Sequence, residues 1–265
     1  MAEPASSREW AVALFRRSAL KQRKLAEIAA ALGPTEGRRC LDLGSDNGVV
    51  SLLLRQRGGE WTSGDLTEAA VSSIRSLVET DTHLVRGDQL PFPDATFDRV
   101  AVVDMLEHVP DDEIFAAELA RVTKPGGRLV VNTPHLKKTA LRRLRHALGQ
   151  TDERHGHLRP GYTPARLSEL LGSQFVMGSS RTYSRFFSEL VDTLVNVGLE
   201  RLGKRSSAKG MVVTSSDLSR HRRTFRLWSA VYPFVWAVTR LDAVVPATGY
   251  MLIATAERRG GAAQT

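Results

Sequence analysis

The sequence is poor in cysteine and in long apolar runs, and both shortages narrow the class of protein. Cys40 is the only cysteine among 265 residues, so an internal disulfide and a disulfide-stapled secreted scaffold are excluded. The first apolar stretch, 11–15, is too short for the hydrophobic region of a signal peptide. The mostly apolar run 227–238 has twelve residues, all uncharged, and is interrupted by Pro233, short of the ~20 that a membrane-spanning helix needs. We therefore expect a cytoplasmic protein in a reducing compartment.

The composition is that of a folded protein with a positive charge. Hydrophobic residues make up 42% and charged residues 25%, close to the globular average. Lys and Arg number 37 against 29 Asp and Glu, a formal charge of +8 that favours anionic partners such as phospholipid head groups, nucleic acid or acidic metabolites. The excess lies in three segments, 16–24, 137–145 and 220–226.

Hydrophobic periodicity predicts an α/β protein. Residues 8–32 read as one helix that ends at Gly33-Pro34. From residue 38 onward short apolar runs alternate with helical patterns, which indicates βαβ units and a doubly wound parallel sheet over 36–134. The predicted later elements are a basic helix (136–148), a polar loop (149–162), a helix ending at 171, a strand near 174–183 and a last strand at 249–259.

The last two predicted strands are separated by about sixty-five residues, far more than the usual 2–6 residue connection. We therefore expect a helical insertion that forms a cap or lid. The predicted organisation is an N-terminal helical segment (1–35), an α/β domain (36–184 and 249–259), the lid (185–248) and a disordered tail (260–265).

A glycine-containing turn follows the first predicted strand. In LDLGSDNG, Gly44 and Gly48 allow backbone amides and a helix N-terminus to approach a ligand. Asp65 ends the second strand about twenty positions later, where a carboxylate can bind both hydroxyls of a ribose. An ordinary α/β turn would look similar, so the turn alone does not identify a ligand.

A wider set of segments resembles the class I S-adenosylmethionine-dependent methyltransferases, particularly the small-molecule branch that includes quinone-biosynthesis enzymes. The GD.LPFPD..FD.V run with a later KPGG is more specific than any glycine turn. The resembling segments are LDLGSDNG (41–48), GDLTEA (64–69), GDQLPFPDATFDRV (87–100), DMLEHVPDD (104–112), ARVTKPGGRLVV (120–131) and, more weakly, HLRPGYTPARLSELL (157–171).

The resemblance implies a Rossmann-like fold with a seven-stranded sheet and S-adenosylmethionine as the cofactor. It implies that the first turn shapes the methionine pocket, that the carboxylate after the second strand binds the ribose and that the pair after the third strand faces the adenine. The implied cofactor-binding residues are Asp42, Gly44, Asp46, Gly48, Asp65, Leu66, Asp88, Gln89 and Asp104.

Asp46 departs from the family pattern, which usually has glycine at the middle of the turn. Its carboxylate can pair with the ammonium of the cofactor or repel the cofactor's carboxylate. Aspartate tolerates left-handed backbone geometry, and a tRNA adenine methyltransferase family carries aspartate at this turn. The departure leaves open a protein of the same fold that binds the cofactor without catalysis.

DMLEHVPDD follows the fourth strand, beside the expected position of the transferred methyl group. His108 and Glu107 are the candidate catalytic residues, with His108 as a general base for a substrate hydroxyl; a loop-capping histidine is the alternative. Asp104, Glu107 and His108 also match the D/E-x-x-E-H arrangement of methyltransferases that bind a divalent ion such as Mg²⁺. His135, His155 and His157 follow the fifth strand and could complete such a site or contact substrate; solvated loop residues are the alternative.

Two segments outside the α/β pattern are basic and apolar. Helix 136–148 combines leucines with Lys137, Arg142, Arg143 and Arg145, and the run 227–238 places aromatic residues among flanking arginines. Such segments suit an anionic membrane surface, or a lid that packs on the core or across a dimer.

These features favour methyl transfer from S-adenosylmethionine to an oxygen of an apolar or lipid-like small molecule, by a cytoplasmic enzyme that is peripheral to the membrane. The alternatives are an RNA methyltransferase, favoured by the isoelectric point near 10, and the non-catalytic binding protein. Nucleic acid is the less favoured partner because the aromatic residues cluster with aliphatic ones instead of alternating with basic ones.

Overall fold

The fold is an α/β sandwich with added helices, seen in a computed structural model that describes residues 6–137, 139–201 and 215–260. Its strands and helices confirm the alternation that the sequence predicts. In chain order they are α1 (Ser7–Phe15), α2 (Ala19–Leu32), β1 (Arg39–Leu43), α3 (Val49–Arg55), β2 (Glu60–Asp65), α4 (Glu68–Val78), β3 (Thr82–Leu84), β4 (Phe97–Val103), α5 (Asp112–Val122), β5 (Thr123–Pro134), α6 (Ala140–Ala147), α7 (Pro164–Leu171), β6 (Phe175–Tyr183), α8 (Phe186–Arg201), α9 (Ser215–Arg240) and β7 (Met251–Arg258).

The seven strands form one sheet in the order β3-β2-β1-β4-β5-β7-β6. The first five strands are parallel, whereas β7 runs antiparallel between β5 and β6, so the sheet is mixed rather than wholly parallel. The strand order reverses between β1 and β4. Loops at the carboxyl ends of these strands diverge there and leave a crevice, which is where α/β sheets bind ligands.

Helices cover both faces of the sheet, so the central strands bury apolar side chains on both faces. In β4, Val100 and Val102 join the core under α5 and α7, while Ala101 and Val103 join the core under α2. This alternation follows from the two-residue period of a strand. Cys40 lies in the second core with no exposed surface, and burial raises the pKa of its thiol to about 12.

The N-terminal segment differs from the single helix predicted over 8–32, which was wrong. The chain forms α1 and α2 with a break at 16–18, because the Ser18 side chain accepts a hydrogen bond from the Lys21 amide and begins a new helix. The break lets α1 bury Trp10 against Phe225 of α9, with ring centroids 4.4 Å apart. It also lets α2 turn Lys24 towards the carboxyl edge of the sheet.

The basic helix is shorter than the predicted 136–148. Residues before Thr139 are held to the chain near Tyr162, since the Leu136 amide donates to the Tyr162 carbonyl and His135 forms a bridge with the same residue. The Thr139 side chain then caps α6.

The segment predicted as a lid contains α8 and α9 between the neighbouring strands β6 and β7. Among the described residues, no helix combines the length and apolarity needed to cross a bilayer. The prediction of a disordered tail concerns 260–265, of which 261–265 lie outside the described residues.

Gly48 begins α3 with a φ of +79°, and a Cβ there would lie 2.7 Å from the Ile74 Cα of α4. We expect Gly48→Ala to lower the free energy of unfolding by about 1–3 kcal/mol through backbone strain. The steric overlap of the new Cβ with α4 should lower it further. Urea unfolding measures the change. Gly37→Ala is the control, because Gly37 has a φ of +65° with no atom within 4 Å of a built Cβ. Equal losses in the two variants would contradict the steric part of this explanation.

Candidate active site

A cavity of about 660 Å³ lies at the carboxyl edge of the sheet, between the strand ends and helices α2, α6 and α8. Its size is within the range of small-molecule binding sites. Four predicted site residues, Asp42, Gly48, Asp88 and Gln89, do not line it. The predicted residues that do are Gly44, Asp46, Asp65, Leu66, Asp104, Glu107 and His108.

The turn after β1 is held closely against its neighbours. Gly44 has a φ of +85°, and a Cβ there would lie 2.3 Å from the Val103 carbonyl oxygen of β4, so a side chain does not fit. Asp46 adopts a φ of +53°, a left-handed geometry that aspartate tolerates. Its amide donates to Asp65 Oδ2 at 3.1 Å, and the Leu66 amide donates to Asp65 Oδ1 at 2.8 Å. Asp65 therefore joins the first turn to the end of β2 at the cavity wall.

Asp42 supports this turn from below. Its carboxylate is completely buried and accepts hydrogen bonds from the hydroxyls of Ser45 (2.8 Å), Ser51 (2.5 Å) and Ser63 (2.8 Å), with Arg55 Nη1 at 3.3 Å. These partners belong to the turn, α3 and β2. The side chain is thus a positioning residue that fixes the shape of the turn without lining the cavity.

The two residues expected to face an adenine lie farther out. Asp88 and Gln89 are exposed, in a turn closed by backbone hydrogen bonds between Arg86 and Gln89 (3.3 and 3.4 Å). The turn follows β3, next to the strand that carries Asp65. An adenine role for Asp88 and Gln89 stays a prediction.

Asp104 belongs to a polar network that sequence reasoning missed. It forms an ion pair with Lys24 of α2 and accepts a hydrogen bond from Asn132 Nδ2 at 2.7 Å, while Tyr183 Oη donates to Asn132 Oδ1 at 2.5 Å. Burial favours a neutral Lys24, but the adjacent Asp104 carboxylate outweighs it and raises the pKa of this lysine. Asn132 could have been found as a polar residue inside the apolar strand RLVVNTP. Lys24 gave no such signal, because its helix is rich in basic residues.

Glu107 and His108 meet His157 instead of Asp104. One ligand atom from each of these three side chains lies within 4.8 Å of the others. Glu107 is completely buried, and Thr133 Oγ1 donates to its Oε2 at 3.1 Å. His108 Nδ1 lies 2.8 Å from the Gly156 carbonyl oxygen, which can only accept, so Nδ1 carries the proton and Nε2 is the basic nitrogen of the neutral ring. The candidate metal ligands thus differ from the predicted set.

The other histidines named from the sequence have different places. His135 Nδ1 lies 2.9 Å from the Gly249 carbonyl oxygen, a contact that ties the end of β5 to the chain before β7. His155 has a side chain outside the described part of the structure. Of these candidates His157 is the one that joins the cluster.

The far wall of the cavity includes Lys137, Arg142, Arg145, Gln150, Ser184 and Glu189. Glu189 is almost completely buried; its Oε2 lies 2.7 Å from Lys137 Nζ, and its Oε1 lies 3.9 Å from Arg145 Nη1. Arg142 Nη2 contacts Asp152 at 2.5 Å. Arg142 and Arg145, which belong to the helix predicted to face a membrane, therefore point into the fold, whereas Arg143 is exposed.

The reversal of strand order, the glycine turn and the acidic residue that ends β2 define a Rossmann-like fold with a crevice for a nucleoside-containing cofactor. Comparisons with known proteins support one class of enzyme. Residues 41–131 match the family model described as "Methyltransferase domain". This match agrees with the resemblance to class I S-adenosylmethionine-dependent methyltransferases that the sequence motifs carry.

The similar curated proteins are quinone-biosynthesis enzymes. A ubiquinone biosynthesis O-methyltransferase of Alkalilimnicola ehrlichii is 36% identical over 116 residues, which is 42% of this chain and 47% of the relative. A demethylmenaquinone methyltransferase of Mycobacterium sp. is 39% identical over 107 residues, 40% of this chain and 45% of the relative. The matched part thus spans about half the length of these relatives.

Solved structures share the fold over most of the chain. The [4+2]-cyclase SpnF has a TM-score of 0.59 at 20% identity, covering 91% of this chain and 82% of its own. An S-adenosylmethionine dependent methyltransferase from Mesorhizobium loti has a TM-score of 0.53 at 15% identity, covering 88% and 96%. At these identities the likeness concerns the fold alone.

Proposed function

We propose that this protein transfers the methyl group of S-adenosylmethionine to an oxygen of an apolar or lipid-like small molecule. One observation carries the proposal: the segment that matches the methyltransferase domain supplies Gly44, Asp46 and Asp65 to a single cavity at the switch point of the sheet. The cofactor would supply an electrophilic methyl group on its sulfonium. The chain would supply binding and alignment, which account for much of the acceleration of a two-substrate reaction.

The side chains at the near end of the cavity suit this cofactor. Asp46, Asp65 and Asp104 present three carboxylates, which complement a sulfonium, an ammonium and the hydroxyls of a ribose. Lys21 and Lys24 of α2 also line this end and could approach the cofactor's carboxylate. Asp65 is the proposed ribose ligand, and Asp46, in place of the usual glycine, is the proposed partner of the ammonium.

An oxygen acceptor has to lose a proton as it is methylated, and His108 is the proposed base. Its Nδ1–H is held by the Gly156 carbonyl, which orients the ring and leaves Nε2 as the basic atom. The relative from A. ehrlichii is named as an O-methyltransferase, which agrees with transfer to oxygen.

We also propose that Glu107, His108 and His157 can hold a divalent ion. One carboxylate and two imidazoles suit zinc better than magnesium, which prefers oxygen ligands throughout. Such an ion would occupy His108 Nε2, so it would replace the role of this residue as a base and would instead lower the pKa of a coordinated acceptor hydroxyl.

The lid is the proposed source of both the acceptor chamber and a contact with an anionic membrane surface. On α9, Trp228 Nε1 donates to the Arg17 carbonyl at 3.0 Å and Tyr232 Oη accepts from Gln22 at 2.6 Å, so one face packs on the N-terminal helices. The outer face of α9, formed by Leu227, Val231 and Phe234, is exposed (69%, 43% and 72%). These three apolar side chains suit acyl chains better than they suit stacked RNA bases.

The cofactor assignment predicts that Asp65→Ala weakens binding of S-adenosylmethionine by about 1–3 kcal/mol, through loss of hydrogen bonds to a charged group. Isothermal titration calorimetry measures the affinity. Glu68→Ala removes an exposed carboxylate three residues away and should leave the affinity unchanged. Unchanged binding in Asp65→Ala would refute the ribose assignment.

The metal assignment predicts that zinc stabilises the protein and that magnesium at the same concentration does not. An ion present at 100 times its Kd adds about 2.7 kcal/mol to the free energy of unfolding, a clear rise in Tm. His157→Ala should abolish the rise, while His146→Ala, a variant of a histidine outside the cluster, should keep it. Stabilisation by zinc that survives in His157→Ala would show that the ion binds elsewhere.

The membrane assignment predicts binding to anionic liposomes at low salt and release at high salt, because surface charge is screened within ~8 Å at physiological ionic strength. The double variant Leu227→Ser with Phe234→Ser should bind at least tenfold more weakly in co-sedimentation, since each side chain contributes roughly 1.5–3 kcal/mol when buried. Ile114→Ser is the control, because Ile114 is 47% exposed on α5, on the opposite side of the sheet. If the double variant binds the liposomes as tightly as the unaltered protein does, the outer face of α9 does not contact the membrane and belongs to another interface.

A further inference from the structure

The far wall of the cavity contains hydrogen-bond donors that the fold leaves unused. Arg145 Nε, Gln150 Nε2 and Ser184 Oγ are buried, and among the described residues none of these atoms has a hydrogen-bond partner. Gln150 is 4% exposed and Ser184 is 8% exposed, yet both residues line the cavity. A buried polar group without a partner costs about 1–3 kcal/mol, so this arrangement is stabilised when a ligand supplies acceptor atoms.

Backbone hydrogen bonds and one cation–π contact connect the residues that carry these three donors. The Gln150 amide donates to the Arg145 carbonyl at 2.9 Å, just after the end of α6. The Arg145 guanidinium lies over the Tyr250 ring at 5.7 Å, and the Tyr250 amide donates to the Ser184 carbonyl at 2.9 Å. Ser184 has a φ of +54°, a conformation that non-glycine residues rarely adopt. Such strain is retained where the surrounding structure imposes it, often at binding sites.

The charges near these donors favour an anion over a neutral group. Lys137 and Arg145 share one carboxylate, Glu189, which lies 2.7 Å from the lysine but 3.9 Å from the arginine. This group of three side chains has one positive charge in excess. Asp192, the next acidic residue of α8 on the cavity, is close enough to Lys21 and Lys24 to interact with their charges. Arg145 is therefore the cation whose charge is least compensated on this wall.

We propose that the far wall binds an oxyanion, a carboxylate or a phosphate, carried by the methyl acceptor. Arg145 and Gln150 donate to its oxygens, and Ser184 adds a hydroxyl donor. The proposal rests on the proposed function, because it assumes that the near end of the cavity holds the cofactor. All three residues lie outside the segment 41–131 that matches the family model, so that match does not include them. The acceptor is then an amphiphile, with an anionic group at the far wall and its methylated oxygen near His108.

The test compares benzoate, phenyl phosphate and benzamide as probes of the full-length protein. Benzamide has the shape of benzoate without its charge. Calorimetric titrations are made with and without saturating S-adenosylhomocysteine. We expect at least one anion to bind tenfold or more tightly than benzamide. Whichever anion binds more tightly identifies the group as carboxylate or phosphate.

Variants assign the binding to the far wall. Arg145→Met and Gln150→Leu should each weaken binding of the preferred anion at least tenfold and leave the affinity for S-adenosylhomocysteine within twofold. Arg143→Met is the matched control, because Arg143 is exposed on the same helix two residues away. Circular dichroism and the Tm establish that the variants fold, and Ser184→Ala provides a smaller change should Arg145→Met be unstable.

Three outcomes would overturn the proposal: equal binding of benzamide and the anions, an equal loss in Arg143→Met, or no binding of either anion. A protein that fails to bind S-adenosylhomocysteine but shows the predicted anion preference and its loss in Arg145→Met would contradict the proposed function alone. The far wall would then bind an anion in a function other than methyl transfer.

Discussion

The structure depends on a buried carboxylate, that of Asp42, which three hydroxyls and a guanidinium hold at the base of the first turn. Its partners come from β1's own turn, α3 and β2, so one charge fixes the relative position of three elements. A buried carboxylate is tolerated only when its oxygens are well supplied with donors. The Asp42 carboxylate has such donors, so the turn that contains Ser45 is held in one conformation. In that conformation Asp65 can accept a hydrogen bond from the Asp46 amide.

The cavity is formed by two parts of the chain that shape it in different ways. Its near end is built from strand ends and turns within 41–131, where backbone geometry leaves little choice of residue: Gly44 has a carbonyl oxygen 2.3 Å from where a Cβ would be. Its far wall is built from α6, α8 and the residues before β7, where side chains alone define the surface. In the proposed function, methyl transfer takes place at the near end, and the far wall selects the acceptor.

Sequence patterns predicted the elements whose signals are local. The strand–turn–helix units follow from periodicity and glycine positions. The seven-stranded sheet and the placement of Gly44 and Asp65 on one cavity follow from the family resemblance. The break between α1 and α2 was missed because basic residues continue the helical pattern through it, and a single serine cap ends that pattern. The antiparallel course of β7 carries no signal in an apolar strand.

Contacts between distant segments were the hardest part to predict. Lys24 meets Asp104 across 80 residues, and His157 meets His108 across a loop whose course depends on tertiary packing. For this reason the sequence left His157 as one of three histidines that could complete the metal site. Adjacency in sequence put Asp104 in the predicted set, while in space Asp104 is engaged by Lys24 and Asn132.

The placement of α8 and α9 between two paired strands has an evolutionary consequence. Tyr183 at the end of β6 lies opposite Met251 at the start of β7, so the chain leaves and re-enters the sheet at neighbouring positions. The cost of closing a loop grows only slowly with its length, about 0.6 kcal/mol per doubling. Helices can therefore be lengthened, exchanged or grafted at this point while the strands keep their register. A lineage with this architecture can acquire new methyl acceptors by replacing the segment between β6 and β7, without changes to the part that would hold the methyl donor.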